Sequence, residues 1–179
     1  TVHNDVAYDN TAVWLHVAAN TNGAADRFGR IVPPLALGLI VIAVGTPLSA
    51  WGFGSAEVVP SLLGVSLCTL LVGLGISSVI SAGFPYPAVH PGDSPFAQPQ
   101  SSAGAASWVQ GLSLLAVLAV ATPTVILAIL GIANGGAWHG LALLVGIATG
   151  ALALWGGIVV GGRVFEKRGP ELLAFTARY

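Results

Sequence analysis

Four long apolar runs, divided by short polar breaks, make up most of this chain. They are IVPPLALGLIVIAVGTPLSAW (31–51), VVPSLLGVSLCTLLVGLGISSVISAG (58–83), WVQGLSLLAVLAVATPTVILAILGI (108–132) and GLALLVGIATGALALWGGIVVGG (140–162). A helix needs about 20 residues to cross roughly 30 Å of hydrocarbon, and each run has them. None contains Asp, Glu, Lys or Arg. Barrel strands would be about half as long and would alternate in polarity. The pattern predicts an all-α polytopic membrane protein: a bundle of four transmembrane helices behind a short amphipathic N-terminal helix.

The polar remainder divides the chain. Residues 1–30 read as an interfacial segment, in which Val13, Trp14, Leu15 and Val17 form one face of a short helix capped by Asn10 or Thr11. Residues 31–162 are the membrane domain, interrupted by a proline-rich loop at 84–107, and 163–179 form a basic tail. Pro33, Pro34 and Pro60 are expected in first turns, where the missing amide hydrogen is not needed. Pro47 is expected to bend or end the first span. Pro123, after Thr122 in mid-span, frees a backbone carbonyl and marks a bend, read either as plain packing or as a gating hinge. Gly169 and Pro170 are expected to stop one helix and start another. Gly146/Gly150 and Gly157/Gly161 are GxxxG pairs that favour close helix contact without naming the partner.

Composition agrees with the pattern. Charged residues are 7% of the chain and hydrophobic residues 55%, and the mean hydropathy is +0.84. A soluble domain is about 25% charged and could not clothe its surface from this pool. Between Arg30 and Arg163 the only formal charges are Glu57 and Asp93. Arg27 and Arg30 precede the first run, and Arg163, Lys167, Arg168 and Arg178 follow the fourth. The positive-inside rule then places both termini in the cytoplasm of a multi-pass plasma-membrane protein, with the 84–107 loop on the same side. No basic stripe exists for a nucleic-acid partner. The chain starts at Thr1 and has no methionine, as expected for part of a longer polypeptide.

Candidate chemistry is sparse. Haem ligation needs histidines facing each other from within spans, but His3, His16 and His90 lie outside them and His139 sits at an end. Ser77, Ser78 and Ser81 share no span with a base that would activate them. Cys68 reads as a small buried hydrophobe. The single lysine, Lys167, lies in EKRGPE, so no phosphate loop is present and any ATP binds elsewhere. No catalytic, cofactor-binding or metal-ligating residue is predicted. FPYPAVHPGDSPFAQP (84–99) carries five prolines and forms a rigid strap, followed by the flexible QPQSSAGAA. It reads as a surface feature or as a dock for a partner.

The succession HNDVAYDNTAVWLHV, GAADRFGRIVP, FPYPAVHPGDSPFAQP and RVFEKRGPELL resembles the C-terminal part of bacterial ABC-2-type transporter permeases. Asp5, Asp9, His16, Asp26, Arg27, Gly29 and Arg30 match the first part of that pattern. Pro85, Tyr86, Pro87, Pro91, Gly92, Ser94, Pro95 and Phe96 match the loop. The resemblance implies a non-catalytic permease subunit of an ATP-driven exporter, completed by the rest of the permease or a second copy. A separate ABC ATPase would hold the nucleotide. Coupling contacts would then fall on Asp26, Arg27 and Arg30, on the loop residues with Asp93, and on Arg163, Lys167 and Arg168. The rival reading is a non-catalytic accessory subunit of a membrane complex, a respiratory one for example.

Overall fold

The computed structural model describes residues 14–15, 19, 21–84 and 103–176. These form four long helices: α1 (Gly23–Phe53), α2 (Val59–Gly83), α3 (Ala103–Asn134) and α4 (Ala137–Thr176), with a single 3-10 turn at Ala56–Val58 before α2. All four are long and apolar enough to cross a membrane, and among the described residues there is no strand. The protein is an all-α, multi-pass membrane bundle. Short links set its up-and-down order. Gly54 closes α1 at φ 80°, and Gly135 and Gly136 turn the chain between α3 and α4 at φ 66° and 64°. Positive φ is open to glycine because it has no Cβ.

α2 and α4 run parallel and form the most extensive interface, with α1 on one side of their seam and α3 on the other. Glycine makes the seam. A Cβ at Gly64 would lie 2.4 Å from the Ala142 carbonyl oxygen, and one at Gly146 would lie 2.3 Å from that of Gly64. The arrangement repeats one level on, where Gly75 meets Ala153 and Gly157 meets Gly75. The GxxxG pairs of the fourth span thus find their partner inside the chain. Small residues serve here because lipid offers no hydrophobic drive between helices, so close van der Waals contact must hold them together. Cys68, Val72, Val117 and Ala121 join α2 to α3, and Ile31 and Leu74 join α1 to α2.

Several expected boundaries move. α1 begins at Gly23, which places Pro33 and Pro34 in its interior, and it continues through Pro47 to Phe53. Each proline removes one ladder bond, while the upstream turns are held by caps described below. α3 starts at Ala103 rather than 108, so 103–107 is helix and not flexible loop; its alanines favour that extension. α3 also runs unbroken through Pro123. No break occurs at Gly169–Pro170, because buried Phe165 and Leu172, packed with Ala82 of α2, carry α4 across it. Of the expected N-terminal helix, Trp14 and Leu15 are helical and exposed, while Val13, Val17 and both cap candidates lie outside the described residues.

Candidate functional site

Among the described residues, every charged side chain but Glu57 gathers at one end of the bundle, where α1 starts and α2 and α4 finish. Asn22 caps α1 by accepting from the Ala25 amide at 3.1 Å. Glu166, 143 residues away on α4, accepts from the Gly23 amide at 2.7 Å. Two orphan donors of the first turn are thereby satisfied, and the carboxylate lies where the helix dipole favours it. Asp26 in the same turn accepts from Arg27 Nε and Arg30 Nε, both at 3.0 Å on Oδ2. Arg27 is 1% exposed, and its guanidinium lies 5.0 Å from the ring centroid of Phe165. A buried arginine needs such a carboxylate and ring, since it cannot lose its charge.

The third strand of this knot comes from α2. Arg168 Nη1 donates to the carbonyl of Gly83, the last residue of α2, while its Nε donates to Glu171 at 2.7 Å. Gly83 immediately precedes Phe84, the first residue of the proline-rich strap. The same few residues of α4 therefore hold the start of α1 and the end of α2. Arg163 and Lys167 differ: both are exposed, one turn apart on α4, and neither is ion-paired among the described residues. Of the predicted contact residues, Asp26, Arg27, Arg30 and Arg168 come together. Arg163 and Lys167 face outward beside them. Pro85, Tyr86, Pro87, Pro91, Gly92, Asp93, Ser94, Pro95 and Phe96 lie outside the described residues, as do Asp5, Asp9 and His16.

The opposite end holds a pair that sequence reasoning missed. Ser61, in the first turn of α2, and His139, in the first turn of α4, share a hydrogen bond of 2.7 Å between Oγ and Nδ1, and both are buried. Gly131 of α3 gives the ring room, since a Cβ there would lie 2.7 Å from Nδ1. Their separation of 78 residues leaves no local signal to find them by. Deeper in, Thr124 donates to Cys68 Sγ at 3.6 Å, and Ser78 Oγ is buried against Gly161 with no hydrogen-bond partner. Among the described residues, no three His, Cys, Asp or Glu side chains converge.

Two grooves open on the α3 side of the seam, towards the charged end. The buried stripe of α3 is Val117, Ala121, Thr124, Ala128 and Gly131; no residue from 107 to 116 is buried. Where α3 stands off, a groove of 320 Å³ runs between α2 and α3 past Gly73, Ser77, Gln110 and Ser113. A second, of 290 Å³, runs along α2 and α4 and shares Ile80 with the first.

Comparison of the chain with protein-family models, with curated proteins and with solved structures finds no match in any of the three.

Proposed function

We propose that this chain is the membrane-spanning permease component of an ATP-driven exporter, which hydrolyses nothing itself and is moved by a separate ATPase. The observation that carries the reading is the knot at the charged end. Glu166 holds the first amide of α1, Arg168 holds the last carbonyl of α2, and Phe165 stacks on Arg27. A push on this end would reach three helices at once, and in the sequence the proline-rich strap begins at the residue after Gly83, which Arg168 grips. The positive-inside rule puts this end in the cytoplasm, where an ATPase would sit. The resemblance of its motifs to those of ABC-2-type permeases supports the same reading.

The test is purification of the protein from its native membrane under mild conditions. A stoichiometric ATP-binding subunit is expected, and Arg168→Ala should leave that subunit bound while uncoupling hydrolysis from transport. Co-purification with a cofactor-bearing assembly instead, with no response to ATP, would establish the accessory-subunit reading.

A further inference from the structure

The second groove is bordered by Ile76, Val79 and Ile80 of α2 and by Ala153, Gly156 and Val160 of α4. Its lining is hydrocarbon and it opens sideways at membrane depth. A groove left empty there would forfeit dispersion contacts along its whole wall. Packing within the chain explains its buried glycines but not its open α4 side. Gly157 is required by the seam, but a Cβ on its neighbour Gly156 would meet nothing within 4 Å.

What lies beyond the groove identifies the occupant. At about 100° per residue, Gly156 and Arg163 share one stripe of α4, as do Val160 and Lys167. Beyond Val160, the last groove residue of α4, Arg163 therefore stands three residues, roughly 4.5 Å, and Lys167 seven residues, roughly 10 Å, towards the charged end. Arg27, Arg30 and Arg168 are engaged in the knot. Arg163 and Lys167 are exposed and, among the described residues, carry no ion pair. An apolar slot with two outward cations at its mouth has the shape and charge of an amphiphile with an acyl chain and an anionic head.

We infer that this groove binds one anionic phospholipid, with an acyl chain along Gly156 and Val160 and its phosphate on Arg163 and Lys167. The site does not depend on whether the bundle works as a permease or as an accessory subunit. Each cation near an anionic headgroup contributes about fivefold in affinity.

The experiment reconstitutes the full chain in nanodiscs of phosphatidylcholine with a minor share of phosphatidylglycerol, then measures retained lipid by native mass spectrometry. Wild type is expected to retain phosphatidylglycerol in preference to phosphatidylcholine. The double change Arg163→Gln, Lys167→Gln should lower that preference by roughly 25-fold, the product of the two contributions. Gly156→Leu, which places a side chain in the groove while leaving both cations, should lower it comparably, and millimolar inorganic phosphate should not displace the lipid. Val160→Phe, at the exposed rim, serves as a second filling variant should Gly156→Leu fold poorly. Equal retention of both lipids by wild type would overturn the site. So would full preference in a folded groove-filled variant, which would reduce the effect to surface charge alone, or displacement by phosphate, which would reduce it to a headgroup site.

Discussion

At the residue scale, the bundle separates polar groups that are satisfied from one that is not. Ser61 and His139 satisfy each other across α2 and α4. Ser61→Ala removes that bond and leaves the ring nitrogen buried, so we expect a loss of about 1 kcal/mol, near the upper range for hydrogen bonds between membrane helices. Among the described residues Ser78 has no partner for its hydroxyl, so Ser78→Ala should leave stability unchanged or raise it. Thermal unfolding of the two variants in one detergent compares them, and equal losses would contradict the assignment. Asp26 is the more sensitive position. Asp26→Ala removes the carboxylate that Arg27 faces at 1% exposure, and breaking a buried pair in this way costs about 3–5 kcal/mol. The same melts read it: a midpoint equal to wild type would show that Phe165 and the other contacts of Arg27 suffice.

At the element scale, the parallel pair α2·α4 holds the protein together, and its glycines differ in what they do. Gly146 touches the backbone of Gly64, whereas Gly140, on the same helix, has nothing within 4 Å of a Cβ. Gly146→Val should therefore cost about 1–3 kcal/mol or more by forcing the helices apart, while Gly140→Val should be tolerated. Helix content against temperature measures both, and equal tolerance would mean that the seam is not closed at this level. The long helices follow the same logic. α4 passes Gly169–Pro170 because Phe165 and Leu172 are buried on either side, so tertiary contact outweighs one missing amide hydrogen.

At the scale of the whole molecule, the up-and-down order puts the starts of α1 and α3 and the ends of α2 and α4 on one face. In a Cys68→Ala background, single cysteines at Arg163 and Glu57 should react with an impermeant reagent from opposite sides of sealed vesicles. Reaction from one side would break the four-span order. The helices also contribute unequally: 11% of the apolar window of α1 is buried inside the chain, against 33% for α2. Leu37, Ile40, Val44, Leu48 and Trp51 of α1 remain exposed on one side of that helix.

The number of spans, their approximate limits, the polar breaks and the concentration of charge at one end were all legible in the linear chain. They follow from local hydropathy and from the absence of charge over some twenty residues, which no distant contact can reverse. The reach of the helices beyond those runs was not legible, because Pro33 and Pro34 are local start signals and Gly169–Pro170 a local break, all overridden by caps and packing from other helices. Nor was the pairing of glycines. Gly156 and Gly157 are neighbours of one type, yet one is pressed onto Gly75 and the other opens a groove, and only the rotation of α4 against α2 decides which. Ser61 and His139 are brought together by that same docking, and Glu166 and Gly23 by the docking of α4 on α1, across intervals that carry no periodicity. Membrane character is a sum over neighbours along the chain; contacts at the site are a property of how four helices lie against each other.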